Sequence, residues 1–303
     1  MSKLTVIVPV YYSADTLKDC YKDLAERVFP NVPDYELVLV DDGSGDHSYE
    51  VMQAIASEDD KVKIIKLSRN FGSHSAVFAG LCECMGDCAT IKAADCQEPA
   101  ELILDMYESW KQGNKVVLAK REGRSDGSLF ISVYYALVRR FVSKGMPKSG
   151  FDCYLIDRNV IDVLKLLDEP NSALTLQILW TGFKTTTIPY HRLDRTVGKS
   201  RWTLAKKIKL VVDSFIGFSY APIRAVTLLG VLCLLGSISW GIFILIGRIS
   251  GTIVAEGWAT LAILVLLSSG MIMFSLGILG EYIWRILDAA RGRPVYIIDK
   301  QDK

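Results

Sequence analysis

The stretch YELVLVDDGSGD, residues 35–46, indicates how the first half of the chain folds. Its apolar run has the length and the Val content of a strand, and it ends in two carboxylates and a glycine-containing turn. Four similar runs lie at 4–10, 62–68, 87–95 and 115–120. Segments of helical length separate them, at 14–27, 47–57, 74–85 and 99–111. This alternation predicts an α/β fold with a mostly parallel sheet and helices on both faces.

Polar residues stand where the predicted strands end. They are Asp41, Asp42, Ser68, Asn70 and Asp95. In open parallel sheets, ligands bind outside the carboxyl ends of the strands. The sequence therefore predicts a binding site at this edge.

The overall charge is balanced, because 35 Lys and Arg residues face 34 Asp and Glu residues. A balanced charge gives no reason to expect nucleic acid as a partner. We therefore expect none.

The last third of the chain is far more apolar than the rest. Half of all residues are hydrophobic, and the excess lies after about Ala225. Two nearly uncharged runs, about 225–248 and 258–282, each reach the roughly 20 residues that span a bilayer core. They predict a transmembrane hairpin over 225–287. A buried helix pair in a soluble fold is the alternative.

Basic residues flank the two runs on their outer sides. Those before the first run are Lys206, Lys207, Lys209 and Arg224, and those after the second are Arg285, Arg291 and Arg293. The loop between the runs carries Arg248 and Glu256. The positive-inside rule then places both termini in the cytoplasm. We expect a multi-pass protein of the cytoplasmic (inner) membrane with a cytosolic tail over 288–303.

The segment 201–224 joins the two halves and mixes Lys and Arg with large apolar residues at helical spacing. This pattern predicts amphipathic helices at the membrane surface. A helix packed on the α/β domain is the alternative. Small residues in the second run, such as Gly277 and Gly280, allow close helix approach and predict a homo-oligomer or packing within the hairpin.

Seven segments in this order resemble one enzyme family. They are VIVPVYYSADTL, LVLVDDGSGD, LSRNFGSHSAVFAGL, AADCQEP, GFDCYLIDR, RTVGKSRW and GILGEYIWRI followed by RGRPVYII. Together they resemble the inverting family 2 glycosyltransferases. Among these the chain is most similar to the polyprenyl-phosphate group that includes bactoprenol glucosyltransferases and dolichyl-phosphate mannose synthases. The resemblance implies a Rossmann-like GT-A domain over 1–200 in the cytosol.

The resemblance also implies a reaction. A sugar would pass from a UDP- or GDP-sugar to polyprenyl (undecaprenyl) phosphate at the cytosolic membrane face, with inversion, for later use in a surface glycan. UDP-glucose is the favoured donor, and Mg²⁺ or Mn²⁺ is the expected cofactor. The lipid bilayer and a flippase for the lipid-linked sugar are the further partners that it implies.

Site residues follow from the same resemblance. Asp152 matches the catalytic carboxylate, and Asp95 and Gln97 match metal ligands. The implied donor-binding residues are Pro9, Tyr11, Asp41, Asp42, Asn70, Ala94, Asp95 and Arg121. The implied residues for the acceptor phosphate are Arg124, Arg195, Ser200 and Arg201. Capping or solvated polar groups are the alternative reading of each.

The chain departs from the family pattern at three places. Ala93 stands where the first carboxylate of an Asp-x-Asp motif is expected, YYSADTL lacks the usual Asn-Glu, and Tyr154 replaces a common Arg. Because Mg²⁺ often takes only one or two protein carboxylates, we expect Ala93 to weaken the metal site rather than abolish it. Another lipid or glycan acceptor, or a catalytically silent membrane scaffold, are the alternative functions.

Overall fold

The computed structural model describes residues 2–122, 129–167, 169, 173–193, 204–250 and 257–302. The chain divides into two compact units. One comprises Met1–Ser214 with Arg293–Lys303, and the other comprises Phe215–Gly292. The first unit therefore contains chain from both sides of the second.

Eight strands of the described residues form one sheet in the first unit. They are β1 (Lys3–Val10), β2 (Asp34–Asp41), β3 (Val62–Leu67), β4 (Cys88–Ile91), β5 (Val116–Glu122), β6 (Cys153–Asp157), β7 (Thr185–His191) and β8 (Ile298–Asp302). Their order across the sheet is β7-β5-β6-β4-β1-β2-β3-β8. Strands β6 and β8 run antiparallel to their neighbours, and the other pairs are parallel.

These strand directions bring distant parts of the sequence to one edge. Strands β1 to β5 and β7 all end at the same edge, and β6 begins there. The sequence order reverses around β1, which lies between β2 and β4. A crevice at such a reversal is where open α/β sheets bind ligands.

Strand β1 lies in the centre of the core. Leu4, Val6, Ile7, Val8 and Val10 are each at most 1% exposed. Burial on both faces is the property of a central parallel strand covered by helices, and it explains why the run does not alternate with polar residues.

Helices cover the sheet. They are α1 (Ala14–Arg27), α2 (Ser48–Glu58), α3 (Ser73–Glu83), α4 (Ala100–Lys111), α5 (Leu129–Phe141), α6 (Arg158–Lys165) and α7 (Leu174–Trp180). The predicted mostly parallel α/β sheet is confirmed. The fourth strand is shorter than predicted: it ends at Ile91, and the chain turns before it reaches Asp95.

Strands β6, β7 and β8 were not predicted from the sequence. Strand β8 pairs with β3, so that Ile64 lies opposite Asp302 and Leu67 opposite Ile298. Two side-chain hydrogen bonds support this pairing, from Tyr49 to Asp302 at 2.8 Å and from Gln301 to Glu83 at 2.9 Å.

Three helices follow β7 along the chain. Helix α8 spans Leu204–Phe218, α9 spans Ala221–Ile249 and α10 spans Trp258–Ala290. Within α9 and α10, Ala221–Ile244 and Leu267–Ala290 are long and apolar enough to cross a membrane. Large apolar side chains along both stretches are exposed, among them Leu232, Phe243 and Phe274.

Candidate active site

The end of β2 places a buried carboxylate at the crevice. Asp41 is the last residue of β2, is fully buried, and accepts the Ser44 N–H through Oδ1 at 2.9 Å. Its Oδ2 has no hydrogen-bond partner among the described residues. A buried carboxylate oxygen without a donor is costly, so this oxygen is a candidate ligand acceptor.

Asp42 has a different environment, although it is the next residue. Its two oxygens accept the backbone N–H groups of Phe71 at 2.7 Å and Gly72 at 3.0 Å. Burial raises the pKa of Asp42, and these two hydrogen bonds partly oppose that shift. Asp42 therefore ties the end of β2 to the start of α3.

Gly43 completes this connection. Its φ is +69°, and a Cβ there would lie 2.6 Å from the backbone carbon of Arg69. The close approach therefore requires glycine. Exposed Asn70 follows in the same loop.

The end of β1 adds an aromatic pair. Pro9 is half-buried and lies opposite Val40 in the strand register. Tyr11, 37% exposed, packs its ring edge-on against Tyr12, with ring centres 4.8 Å apart. The Tyr12 backbone N–H donates to Ser44 Oγ at 3.1 Å. The predicted donor residues of β1 and β2 thus meet at one edge of the crevice.

The loop after β4 forms the other edge. Ala94 is buried, Asp95 and Gln97 are half-buried, and Glu98 is 6% exposed. Cys96 between them has a φ of +53°, which non-glycine residues adopt rarely. This conformation turns the chain so that Asp95 Oδ1 lies 3.4 Å from the Gln97 backbone N–H.

Arg192 connects this loop with Asp152. Asp152 directly precedes β6 and its side chain is half exposed, while Arg192 directly follows β7 and its side chain is 24% exposed. Arg192 Nη2 donates to Gln97 Oε1 at 2.5 Å, and its Nη1 lies 4.0 Å from Asp152 Oδ2. The structure thus brings the predicted Asp152 and Gln97 to either side of one guanidinium group.

Two further polar side chains are buried beside this group. Glu98 Oε2 and Tyr190 Oη have no hydrogen-bond partner within the described ranges. Burial and the Asp95 charge raise the pKa of Glu98, against the opposing effect of Arg192. Burial, Asp152 and Glu98 raise the pKa of Tyr190.

Sequence reasoning missed Arg192 and Tyr190. The signal that could have identified them is their position at the end of a strand, in the segment PYHR just before RTVGKSRW. Arg121 lies on β5 opposite Tyr190 and is half-buried. The predicted phosphate-binding residues Arg124, Arg195, Ser200 and Arg201 lie outside the described residues.

The loop after β4 offers few ligands for a divalent cation. No cluster of three or more His, Cys, Asp or Glu residues suited to a metal is found in the part of the chain that the structure describes. Asp95 is the carboxylate in the right place. Gln97 Oε1 accepts from Arg192 but keeps a second lone pair. This set fits a cation that takes one or two protein oxygens and draws its other ligands from phosphate and water.

Comparisons with known proteins identify the family of the chain. Residues 5–159 match the model of glycosyl transferase family 2. The chain is 35% identical over 300 residues to the uncharacterized glycosyltransferase YkcC of Bacillus subtilis (strain 168), covering 98% of this chain and 93% of that protein. It is 31% identical over 305 residues to the SfII prophage-derived bactoprenol glucosyl transferase of Shigella flexneri, covering 99% of both.

A solved structure shares the fold. The mannosyltransferase PcManGT from Pyrobaculum calidifontis, in complex with GDP-Man and Mn²⁺, superposes with a TM-score of 0.53. The match covers 93% of this chain and 87% of that chain at 17% identity. At this identity the likeness concerns the GT-A architecture alone.

Proposed function

The chain belongs to glycosyl transferase family 2, and we propose that it transfers a hexose from a nucleoside-diphosphate sugar to polyprenyl phosphate. The observation that carries the proposal is similarity over 99% of the chain to a protein named as a bactoprenol glucosyl transferase. That relative also favours glucose as the sugar, and with it UDP-glucose as the donor. The two apolar helices support a lipid acceptor.

The donor would bind across the crevice at β1. Asp41 Oδ2 is a buried acceptor without a donor in the described chain, so it suits an N–H or O–H of the nucleoside. Pro9, Tyr11, Asn70, Ala94 and Arg121 would line the same site. Asp42 would act mainly by fixing the loop that carries Asn70.

The diphosphate would lie near Asp95. A bound Mg²⁺ or Mn²⁺ would neutralise the charge that develops on the departing diphosphate. Asp95 and Gln97 would hold the cation together with donor oxygens. Ala93 leaves this site one carboxylate short of Asp-x-Asp, which predicts weak metal affinity in the absence of donor.

The acceptor phosphate would attack the anomeric carbon. One of its oxygens forms the new bond to that carbon, the bond to the diphosphate breaks, and the nucleoside diphosphate leaves. Because a phosphomonoester has a second pKa of about 6, the nucleophile is already an anion near neutral pH. Asp152 would therefore orient the acceptor more than deprotonate it. Arg124, Arg195, Ser200 and Arg201 would bind its phosphate, as Arg suits phosphate by its planar fork.

The pairing of β8 with β3 supports a hairpin topology. Chain before α9 and chain after α10 belong to the same sheet, so both would lie on the same side of any bilayer that the two helices cross. An even number of crossings satisfies this requirement, and two apolar helices are available. The flanking basic residues favour the cytoplasm as that side.

Helix α5 supports contact of the first unit with lipid. Val133, Leu137 and Phe141 recur at intervals of four and are 41–48% exposed, so they form an apolar stripe. Exposed Arg140, Lys144 and Lys148 lie at its carboxyl end. Tyr134 on α5 hydrogen-bonds Ser214 on α8 at 2.8 Å, seven residues before α9 begins. An apolar stripe bordered by cations suits an anionic membrane surface.

The experiment that tests the proposal is sugar transfer by the purified protein in detergent. Radiolabelled UDP-glucose, other UDP-sugars and GDP-mannose would each be offered with undecaprenyl phosphate, in Mg²⁺, Mn²⁺ or EDTA. We expect a labelled lipid from UDP-glucose with metal, its loss in EDTA, and slower but measurable product formation by Asp152→Asn. A folded protein that gives no lipid product with any donor would contradict the proposal.

A further inference from the structure

Arg192 occupies a position that neither the sequence motifs nor the family match explains. Its guanidinium group lies between a side chain of the donor edge, Gln97, and the exposed carboxylate Asp152. Strands β5 and β6 separate β7 from β4 in the sheet. The loop that follows β4 therefore crosses the ends of two strands to meet Arg192 and Leu193.

Gln97 is fixed to the end of β7 by three hydrogen bonds. Besides the bond from Arg192, the Leu193 backbone N–H donates to the Gln97 carbonyl oxygen at 2.9 Å, and Gln97 Nε2 donates to the Leu193 carbonyl oxygen at 3.3 Å. This pairing locks the Gln97 side chain in place. A locked Gln97 in turn holds one edge of the Arg192 guanidinium group.

The other edge of the guanidinium group faces Asp152. Asp152 has a half-exposed side chain, and Arg192 is the cation paired with it in the described chain. A planar guanidinium held at one edge presents its remaining N–H groups in a fixed direction. Arg192 can therefore set the direction of the Asp152 carboxylate while most of that carboxylate stays open to a substrate.

The local charge gives Arg192 a second effect on the same group. Asp152 and Glu98 place two carboxylates beside one guanidinium group, and the proposed substrates are anions. The positive charge of Arg192 offsets part of this negative charge. Without it, the repulsion between Asp152 and an acceptor phosphate would increase.

We propose that Arg192 is a positioning residue, which Gln97 holds in place so that its guanidinium group orients Asp152 for sugar transfer. This inference rests on the proposed function, because Asp152 has a role only if transfer occurs. Arg192 acts through Asp152, so removal of either residue should damage the same step.

A double-mutant cycle tests this coupling. Arg192→Met, Asp152→Asn and the double variant would be compared with the unchanged protein for kcat and for the donor KM. We expect Arg192→Met to lower kcat by about 100-fold, the scale of a misplacement near 1 Å, with a donor KM within about twofold. The double variant should be no slower than Asp152→Asn, because coupled residues are not additive.

Two further variants separate positioning from folding. Arg192→Lys keeps the positive charge, but a lysine ammonium group cannot contact Gln97 and Asp152 at once with a planar set of N–H groups. Its kcat should therefore lie between those of Arg192→Met and the unchanged protein. Arg158→Met is the matched control. Arg158 is 28% exposed, bonds the Gly86 and Cys84 carbonyl oxygens, and lies at the opposite edge of the sheet. The Arg158→Met substitution should lower the Tm and leave kcat within about twofold of the unchanged protein. If Arg192→Met does not fold, the cycle is run with Arg192→Lys.

The outcomes are distinct. Three results would each overturn the role of Arg192. The first is a double variant whose loss of kcat equals the product of the two single losses. The others are an effect of Arg192→Met on the donor KM alone, and a loss of kcat in Arg158→Met as large as that in Arg192→Met. If the unchanged protein transfers no sugar, the proposed function fails first and Arg192 is reduced to a structural cross-link.

Discussion

The wholly buried ammonium group of Lys92 lies 3.1 Å from the Asp23 carboxylate on α1. It also donates a hydrogen bond to the Glu98 carbonyl oxygen at 2.9 Å. One cation thus anchors both ends of the loop that carries Asp95 and Gln97 to a helix behind the sheet. The candidate site is rigid at this edge because a charge is buried beneath it.

Lys92→Met should destabilise the protein, because the Glu98 carbonyl oxygen loses its buried donor and Asp23 keeps only its pair with the exposed Arg27, 3.3 Å away. Loss of one partner of a fully buried pair costs about 3–5 kcal/mol, and Asp23 is 24% exposed, so we expect about 2–3 kcal/mol. Urea unfolding of the purified chain measures it. Lys61→Met is the control: Lys61 pairs with Asp34 at 2.6 Å, but both are over a third exposed, and the loss should stay below about 1 kcal/mol. Equal losses in the two variants would contradict the burial argument.

Asp41→Asn and Asp42→Asn should have different effects although the residues are adjacent. In Asp41→Asn an N–H₂ group replaces the oxygen that has no hydrogen-bond partner, so it can no longer accept a hydrogen bond from the nucleotide sugar. A buried group left without its hydrogen bond costs about 1–3 kcal/mol, so we expect binding of the nucleotide to weaken about 10- to 100-fold. In Asp42→Asn one oxygen that accepts a backbone N–H is lost, so the Tm should fall and α3 should exchange amide hydrogens faster. Calorimetric titration with UDP measures the loss of binding in Asp41→Asn. Thermal unfolding and amide hydrogen exchange measure the loss of local stability in Asp42→Asn. A stronger loss of UDP binding in Asp42→Asn would reverse the assignment.

The affinity for a divalent cation should fall when Asp95 is removed and rise when a carboxylate is introduced at Ala93. Asp95→Ala removes the carboxylate best placed for a cation, so Mn²⁺ affinity in the presence of UDP should fall at least about tenfold. Ala93→Asp adds a second carboxylate and should raise that affinity. Electron paramagnetic resonance of free Mn²⁺ reports both without an activity assay. Unchanged Mn²⁺ binding in Asp95→Ala would rule out this residue as a ligand.

The ionised carboxylate of Asp157 should stabilise the folded protein, and this contribution should be lost in acid. Burial acts to raise its pKa, but hydrogen bonds from Lys115, Trp110 and the Asn159 backbone outweigh burial, and the pKa is lowered from 3.8. A lowered folded pKa means that the contribution of Asp157 is fully present above about pH 4 and is lost as the pH falls through the folded pKa. Asp157→Asn should therefore destabilise the protein at pH 7 and progressively less below pH 4. A difference in unfolding free energy that does not change between pH 7 and pH 3 would refute this.

The apolar stripe of α5 should matter only when the acceptor is in a membrane. Replacing Val133, Leu137 and Phe141 with Ser removes apolar area that would otherwise leave water, at about 25 cal/mol per Å². We expect the KM for undecaprenyl phosphate in anionic vesicles to rise about tenfold, with turnover of a short, soluble prenyl phosphate unchanged. The control replaces three scattered exposed residues, Met85, Leu166 and Trp180, with Ser. An equal effect of the control would show that the stripe has no special role.

The sheet and its first helices could be predicted from the sequence because their signals are local. Strands β1, β2 and β3 are uninterrupted apolar runs, and α1 begins and ends where its pattern does. Strand β8 reads IDKQD and has no apolar pattern, and its partner β3 lies far away in the chain. Strand β7 contains Pro189 and alternates weakly, as an edge strand can.

The carboxylates of the candidate site could be predicted from the sequence, but the contacts between its side chains could not. Asp41 and Asp42 look alike in sequence, and only the position of α3 makes one a ligand candidate and the other a structural acceptor. Arg192 could not be linked to Gln97 without the strand order, because 95 residues separate them. Pairing across strand ends is a property of topology, which a local pattern does not contain.

The place of β8 also sets an order of events during synthesis. A ribosome makes this strand after both apolar helices, so the edge of β3 stays uncovered until these two helices have left the ribosome. A nascent chain at that stage presents unpaired backbone groups beside Ile64 and Ile65, which can recruit another strand. The sheet can therefore be completed only after both apolar helices have been made, and a shortened chain that ends at Ser214 would keep the unfinished edge permanently.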